Sequence, residues 1–270
     1  MIGTIPIFIL ILIFIVAIAM TMVGKGGGNF YVVILALIQI PMHEASTTGQ
    51  FILFAASIAA IFIFQKNKTV SWPLAIIIGG MTSLSALGGG YLSHLFSSFA
   101  LKILFSGMLL IAGGVMLIPV IRKEPAHNQT RFGLVNIRDG LMEYSVDLVI
   151  AIPASLITGF GSGMVGVSGG SFLVPLMVFA CGVPMHTAVG TASTLIAATA
   201  LMGFTGHALQ GDFNPSWAIP LAMVTIVGGI IGGLLSLKTK PKNLKRLFAY
   251  TNWLAALFML YNALHMNGYI

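Results

Sequence analysis

Residues 5–23 read IPIFILILIFIVAIAMTMV, an uncharged apolar run of 19 residues near the start of the chain. The hydrocarbon core of a bilayer needs about 20 apolar residues per helix, so this run predicts a membrane-spanning helix. Similar runs recur along the 270 residues, of which 57% are hydrophobic and 7% charged. A soluble domain of this size could not bury so much apolar surface. The runs are continuous rather than alternating, which favours helices over a barrel. The predicted fold class is an all-α membrane protein with the lipid bilayer as its solvent.

The charged residues fit this class. A net charge of +7 would suggest a nucleic-acid partner in a soluble protein, but here the basic residues fall in short loops between apolar runs. We therefore expect no nucleic-acid partner. Cys181 is the only cysteine, so neither an intrachain disulfide nor a thiolate metal cluster can form. No metal and no cofactor are expected.

The apolar segments divide into two sets of five. In each set the second segment is short and follows a glycine cluster, Gly26-Gly27-Gly28 in the first set and Gly169-Gly170 in the second. We expect a first membrane repeat over residues 1–121, a cytoplasmic linker over 122–143 and a second membrane repeat over 144–270, together one transporter domain. The segments lie near residues 5–23, 30–42, 45–64, 73–95, 102–121, 144–163, 171–183, 185–209, 216–237 and 246–264.

A short motif is repeated after the second segment of each set. Residues 41–45 read PMHEA and residues 184–188 read PMHTA, and a threonine follows seven residues after each proline, Thr48 and Thr191. Five matched positions at equivalent places in two matched sets indicate an internal repeat.

The basic residues predict how the two repeats are oriented. Of the 13 basic residues, 11 fall after the third segment, in the central linker and after the ninth segment. Cytoplasmic loops collect Lys and Arg, so these three loops are predicted to face the cytoplasm and both termini the outside. The loop after the eighth segment, equivalent to the basic loop after the third, has Asp212 and no base. Equivalent loops thus lie on opposite sides, which is typical of inverted repeats. The short segments could span or be re-entrant, and a six-span or eight-span count stays open.

The glycine clusters are the first candidate site. Glycines interrupt helices here at membrane depth, and such backbone persists only where protein or a water-filled cavity satisfies it. The N-terminus of a half-helix offers unpaired N–H groups and a positive dipole end, which attract anions. Two such ends face to face would bind a small multi-oxygen anion, with Asn29, Ser168 and Ser171 as further hydrogen-bond partners. The alternative is that the glycines only let helices pack closely, which we prefer for single glycines such as Gly79 and Gly232.

The repeated motif supplies the second candidate group. His43 and His186 stand at matched turns beside Thr47, Thr48, Thr187, Thr191, Ser193 and Thr194. Unpaired polar groups facing hydrocarbon are costly, so these side chains are predicted to face the interior or a cavity. Each histidine could contact a ligand, or could instead cap a helix or bind a backbone carbonyl. His94 and His207 lie near loop ends and are predicted to be ordinary interfacial residues.

Two charges break the repeat. Lys25 and Glu44 stand where the second half has Ser168 and Thr187, and each could cost roughly 3 kcal/mol at the bilayer centre. Lys25 could be an anion ligand and Glu44 a proton carrier. Alternatively, they are interface residues or form a salt bridge with each other.

The sequence lacks the common catalytic motifs of membrane enzymes and ATP-driven pumps. The chain lacks H-E-x-x-H, G-x-S-x-G and G-x-x-x-x-G-K-[ST], and no segment carries paired acids. We therefore do not expect an enzyme.

The second half carries a family resemblance. The glycine cluster leads into Phe172-Leu173-Val174-Pro175-Leu176, and Gly182-Val183-Pro184 and residues 188–193 (AVGTAS) follow. This order resembles the sulfite exporter TauE/SafE family of membrane permeases. The first half departs from it, because Lys25 enters the glycine cluster, no proline matches Pro175, and Glu44 follows His43.

The resemblance implies a two-repeat transporter of sulfur-containing anions, such as sulfite, thiosulfate, sulfoacetate or other organosulfonates, in the cytoplasmic membrane of a bacterium or archaeon. It implies binding elements in the glycine and threonine motifs. Together with the two histidines, the predicted substrate-binding residues are Gly26, Gly27, Gly28, Asn29, His43, Thr47, Thr48, Gly166, Ser168, Gly169, Gly170, Ser171, His186, Thr191 and Thr194.

The leading hypothesis is a secondary transporter that works by alternating access on a small anion. Protons or Na⁺ are the candidate coupling ions, and the sequence leaves the oligomeric state open. An anion channel with the same site, or a membrane accessory subunit in which the glycines only pack helices, is the alternative.

Overall fold

The computed structural model describes residues 6–118, 133–139, 142–165, 169–211 and 213–266. In these residues the chain is helical apart from one β-hairpin. The helices are α1 (Ile7–Met22), α2 (Gly28–Leu37), α3 (Met42–Lys66), α4 (Trp72–Leu92), α5 (Ser98–Leu117), α6 (Leu148–Val165), α7 (Gly170–Phe179), α8 (Met185–Ala208), α9 (Pro215–Lys238) and α10 (Pro241–Met266); a 3₁₀ turn (Ser93–Leu95) follows α4, and the strands are β1 (Leu134–Asp139) and β2 (Met142–Asp147).

Helix length confirms the membrane class. Seven helices of the described residues, α3 to α6 and α8 to α10, are long and apolar enough to cross a membrane. The chain is therefore an all-α, multi-pass membrane protein. The short segments α2 and α7 have 10 residues each, which is about 15 Å of helix, or half of the hydrocarbon thickness.

Helix packing follows the predicted internal repeat. α3 packs against α8, and α5 against α10. α4 packs against α6 and α8, as α9 packs against α1 and α3. Exchanging each helix of the first half with its counterpart in the second turns α4–α6 into α9–α1 and α4–α8 into α9–α3, and it leaves the pairs α3–α8 and α5–α10 unchanged. The packing therefore has the symmetry of the repeat, and the inversion across the membrane stays a prediction from the loop charges.

The two ends of the helix bundle differ in their side chains. We call one the basic end, because it holds Lys66 and Lys68 after α3 and Lys238 at the end of α9. We call the other the histidine end, because His43, His94 and His207 meet there. The two copies of the repeated motif lie at opposite ends, since His186 contacts Thr239 at the basic end.

The linker contains structure that the sequence did not suggest. β1 and β2 form an antiparallel hairpin, in which Tyr144 and Val146 are buried and alternate with partly exposed residues. The Tyr144 hydroxyl hydrogen-bonds Ser71 between α3 and α4. The sixth segment was predicted to begin at residue 144, and this was wrong: the helix begins at Leu148, where the Asp147 side chain accepts a hydrogen bond from the Val149 amide and so caps the helix.

Single glycines let the long helices approach closely. A Cβ added at Gly89 of α4 would overlap the Phe160 carbonyl oxygen of α6, and one at Gly232 would lie 2.5 Å from the Ile18 carbonyl oxygen. Close backbone approach through small residues is the usual way in which membrane helices associate. The packing interpretation of the single glycines therefore fits the structure at these positions.

Adjacent glycines of α4 provide a matched test of this packing. We expect Gly89→Val to destabilise the protein by about 1–3 kcal/mol or more, because the added atoms meet backbone that cannot move aside. Gly88→Val should change stability little, since a Cβ there meets nothing within 4 Å. The stability of both variants is measured by thermal unfolding in detergent, with the loss of the monodisperse peak as the signal. Equal stabilities would contradict the assigned α4–α6 contact.

Candidate functional site

The first glycine cluster forms a turn that only glycine adopts easily. Gly24, Gly26 and Gly27 have φ angles of 77°, 68° and 98°, in the left-handed region where a Cβ is unfavourable. The turn ends α1 and begins α2. The amides of Phe30 and Tyr31 both donate to the Gly27 carbonyl, so the amides of residues 28 and 29 precede the first bonds within α2.

The second cluster begins α7 in the same manner. The amides of Phe172 and Leu173 both donate to the Gly169 carbonyl, so the Gly170 amide precedes the first bonds within α7. Gly170 and Ser171 form the first turn of this helix, and both are buried. Two predicted site residues, Gly166 and Ser168, lie outside the described residues.

The start of α7 contacts the glycine turn that precedes α2. A Cβ added at Gly170 would lie 2.6 Å from the Gly24 carbonyl oxygen and 3.1 Å from the Lys25 Cα. The same added atom would lie 2.5 Å from Ile196 of α8, a residue that also lines Gly26. We call this meeting point, residues 24–28 and 169–170, the glycine junction.

The glycine junction lies halfway along the bundle. Ile196 is near the middle of α8, and Leu53 and Ser57, which line Gly26, are near the middle of α3. From the junction α2 leads to the start of α3 at the histidine end, and α7 leads to the start of α8 at the basic end. The N-termini of two half-length helices therefore point at one place from opposite ends of the bundle.

Buried hydroxyl groups surround the junction. The Tyr31 hydroxyl lies 2.6 Å from the Cβ position of Gly27, and the Ser57 hydroxyl lies 3.2 Å from that of Gly26. Among the described residues, neither hydroxyl has a hydrogen-bond partner, and the buried hydroxyl of Thr194 has none either. A buried polar group without a partner is costly, and a bound ligand is one way to satisfy it. Sequence reasoning missed Tyr31 and Ser57, although a hydroxyl after a glycine cluster or within an apolar run was a visible signal.

Lys25 is buried beside the junction. Its side chain is 1% exposed, and its ammonium donates to the Phe248 carbonyl at 2.8 Å and the Thr251 hydroxyl at 2.7 Å. The ammonium also lies 4.3 Å from the centroid of the Phe248 ring. These partners on α10 are neutral, so the charge of a protonated Lys25 is not cancelled by them.

The alternative salt bridge between the two asymmetric charges is not formed. Glu44 lies in the first turn of α3, half-buried at the histidine end, whereas the partners of Lys25 are on α10. The structure therefore does not pair these two side chains.

The two histidines of the repeat lie away from the junction. His43 precedes Leu53, which lines Gly26, by ten residues. His186 precedes Ile196, which lines Gly26 and Gly170, by ten residues, and Val189, which lies against Gly24, by three residues. Ten residues are about 15 Å of helix. The His186 Nε2 contacts the Thr239 carbonyl at 2.9 Å, as the carbonyl-binding alternative expected. One small anion at Gly26 and Gly170 therefore cannot also contact His43 in this conformation, and the His186 ring is bound to Thr239.

The predicted threonines also lie mainly outside the junction. The Thr47 hydroxyl donates to the His43 carbonyl at 2.8 Å, and the Thr191 hydroxyl accepts from the Ser71 amide at 2.9 Å. Thr48, the next residue in α3, is also buried. Thr194 is two residues from Ile196, and Thr191 is two residues from Val189, which lies against Gly24. The structure thus brings residues 24–28 and 169–170 together against Val189 and Ile196 of α8, near Thr191 and Thr194 in the chain, and it places His43 and Thr47 at the histidine end.

The prediction that His207 is an ordinary interfacial residue was wrong. His207 is fully buried in the last turn of α8. Its Nε2 lies 2.8 Å from the Gly163 carbonyl oxygen and its Nδ1 lies 3.3 Å from the Ser93 hydroxyl. His94, in the 3₁₀ turn, is exposed and stacks on His43 with ring centroids 4.2 Å apart. The residues belong to three distant parts of the chain, which is why the sequence did not connect them.

Long apolar helices in two packed sets, with two half-length helices whose N-termini meet at mid-bundle, define a multi-pass membrane transporter. The family comparison agrees. A model of the sulfite exporter TauE/SafE family matches residues 9–259, and the chain belongs to this family.

Relatives of the chain are transporters by name. It is 24% identical over 232 residues to the probable membrane transporter protein YunE of Bacillus subtilis, covering 82% of this chain and 85% of that protein. It is 28% identical over 253 residues to a probable membrane transporter protein of Methanocaldococcus jannaschii, covering 88% of each chain. A probable membrane transporter protein of Xylella fastidiosa is 27% identical over 213 residues, 77% of this chain and 75% of that one.

Proposed function

We propose that the protein moves a small sulfur-containing oxyanion, such as sulfite, thiosulfate, sulfoacetate or another organosulfonate, across the cytoplasmic membrane by alternating access. The observation that carries this proposal is the convergence of the N-termini of α2 and α7 at the glycine junction. Two helix N-termini aimed at one place concentrate unpaired amides and positive dipole ends. Inside a bundle that excludes water, such a place favours an anion.

The donors at the junction suit an oxyanion. Backbone amides at the starts of α2 and α7 and the unpartnered hydroxyls of Tyr31 and Ser57 are the donors near the junction in the described residues. A sulfur oxyanion has several acceptor oxygens around one centre, so it can accept from several donors at once. Lys25 contributes attraction at longer range while its ammonium stays bound to α10.

The symmetry of the bundle supplies a route for alternating access. α2 connects the junction to the histidine end and α7 connects it to the basic end. We propose that the basic end is cytoplasmic, because Lys and Arg collect on that side, and that both termini are outside. Rocking one half against the other would then open the junction to either side in turn.

The membrane potential determines which direction of anion transport is energetically favourable. Moving one net negative charge outward from a negative interior gains about 2.3 kcal/mol per 100 mV. Export of a monoanion at equal concentrations therefore needs no coupling ion, whereas uptake needs protons or Na⁺.

Glu44 is the proposed proton carrier. It is half-buried, and it has no hydrogen bond or ion pair with the described residues. We expect Glu44→Gln to remove the pH dependence of uptake in proteoliposomes, because the amide cannot exchange a proton, while Glu44→Asp keeps it. If the glutamine variant kept the pH profile of the unaltered protein, Glu44 would not carry the proton.

Counterflow tests the transport proposal. Proteoliposomes loaded with thiosulfate, sulfite or a sulfonate should accumulate the same labelled anion transiently and saturably. Single-channel currents without counterflow would instead show an anion channel. No binding of any anion in the panel, judged by thermal shift of the purified protein, would favour a membrane accessory subunit.

A further inference from the structure

Three histidines meet at the histidine end, outside the glycine junction. His43 is in the first turn of α3, His94 in the 3₁₀ turn after α4, and His207 in the last turn of α8. One ring nitrogen of each lies within 4.8 Å of those of the other two. Histidine nitrogens are common ligands of zinc, copper and nickel, and the proposed anion site makes no use of these three rings.

The hydrogen bond between His207 and Gly163 determines which nitrogen of the ring can act as an acceptor. A carbonyl oxygen can only accept, so the 2.8 Å contact with Gly163 places the proton on Nε2 and the lone pair on Nδ1. Metal-binding histidines usually donate their other N–H to a carbonyl or carboxylate in this way, which fixes the tautomer and the ring. The Ser93 hydroxyl, 3.3 Å from Nδ1, donates to the Gly90 carbonyl at 2.7 Å.

The burial of the three rings forms a path from solvent inward. His207 is fully buried, His43 is half-buried and His94 is exposed. A cation can therefore reach the group past His94 and find a fixed ligand, His207, at its base. Glu44, the residue after His43, adds a carboxylate to the same turn.

Metal binding requires a small closure. A tetrahedral zinc site with metal–nitrogen bonds of about 2.0–2.1 Å places its nitrogens about 3.3 Å apart. The rings of His43 and His94 are nearly parallel, with an interplanar angle of 10°, so their lone pairs do not converge while they are stacked. Rotation of the exposed His94 ring would break the stack and complete the site.

We infer that His43, His94 and His207 form a binding site for a divalent transition-metal cation, Zn²⁺, Ni²⁺ or Cu²⁺, with water in the remaining position. Such an ion would connect the ends of α3, α4 and α8. α3 and α8 also carry Leu53, Ser57 and Ile196 at the glycine junction. Occupation of the site would therefore restrain the two helices that meet at the proposed anion site.

Metal titration of the purified, tag-free protein tests the site. We expect one equivalent of Zn²⁺ by isothermal titration calorimetry, and a visible absorption band of tetrahedral Co²⁺ that Zn²⁺ displaces. His94→Ala should weaken Zn²⁺ binding by at least about 100-fold, because even the loss of a residue that only supports a ligand costs 10–100-fold. His43→Ala should act in the same direction.

His265→Ala is the matched control. His265 is exposed near the end of α10 and stacks on Tyr261, so its replacement should leave the stoichiometry and affinity unchanged. Absence of Zn²⁺ binding, or equal affinities of the unaltered protein and the His94→Ala variant, would overturn the inference. These readouts do not depend on transport, so they stand apart from the proposed function. If transport also occurs, Zn²⁺ should slow it in the unaltered protein and not in His94→Ala.

Discussion

Replacing Gly170 with alanine abolishes saturable anion binding and transport in our account. The added Cβ would lie 2.6 Å from the Gly24 carbonyl oxygen and 2.5 Å from Ile196. It must therefore push apart the two helix beginnings or enter the space between them. Misplacement of anion-binding amides by about 1 Å is enough for a loss of 100-fold or more. Equilibrium binding and counterflow of labelled thiosulfate measure the effect.

Gly169→Ala is the matched control for this substitution. Gly169 has an ordinary helical φ of −62°, and its added Cβ meets side chains no closer than 3.3 Å. We expect this variant to bind and transport with small changes only. Both variants should be recovered as folded, monodisperse protein before they are compared. Full activity of Gly170→Ala would contradict the assignment of the junction as the anion site.

Lys25→Met should weaken anion binding strongly without unfolding the protein. At an effective dielectric constant of about 20, two opposite unit charges at roughly twice the separation of a contact pair attract by about 2 kcal/mol, which is roughly 30-fold in Kd. Methionine retains most of the volume, and the Phe248 carbonyl keeps a hydrogen bond from the Thr251 hydroxyl at 3.0 Å. Anion titration by thermal shift and calorimetry gives the change in Kd.

Lys102→Met controls for the loss of a buried positive charge. Lys102 is 3% exposed and its ammonium donates to Asn262 at 2.6 Å, in the pair of helices α5 and α10. Lys102 lies near the start of α5, at the histidine end and away from mid-bundle. Its replacement should therefore change anion affinity much less. If the two methionine variants bound anions equally, Lys25 would have no specific role at the junction.

Much of the fold could be predicted because membrane helices are set by long apolar runs. The third segment, predicted over 45–64, is α3 over Met42–Lys66, and the seventh, predicted over 171–183, is α7 over Gly170–Phe179. The doubled glycines correctly marked where the half-length helices begin. The hairpin β1–β2 was missed because it is short, and its alternation of buried and exposed residues, as at Tyr144 and Val146, adjoins an apolar run.

The candidate site could be predicted only in part. A repeated glycine cluster indicates a broken helix, since unwound backbone has few other uses at membrane depth. The motif histidines were grouped with the glycines because they recur at equivalent positions, but recurrence reports symmetry and not proximity. His43 and His186 lie at opposite ends of the bundle. Contacts such as Tyr31 against Gly27, or His207 against Gly163, depend on packing that no spacing in the chain reveals.

Family membership and the structure support different parts of the proposed function. Membership in the sulfite exporter TauE/SafE family identifies the chain as a membrane transporter. The glycine junction supplies a physical reason for the proposed preference for anions, because helix N-termini favour negative charge. The choice among sulfite, thiosulfate and organosulfonates depends on the donors around the junction, and the counterflow panel measures it.

The most direct test of the central claim is an experimental structure of the protein with thiosulfate, or with its selenium analogue for anomalous scattering. The account predicts one anion between the starts of α2 and α7, in contact with residues 26–29 and 169–171. An anion bound elsewhere, with the glycine junction closed by protein alone at saturating thiosulfate, would contradict it.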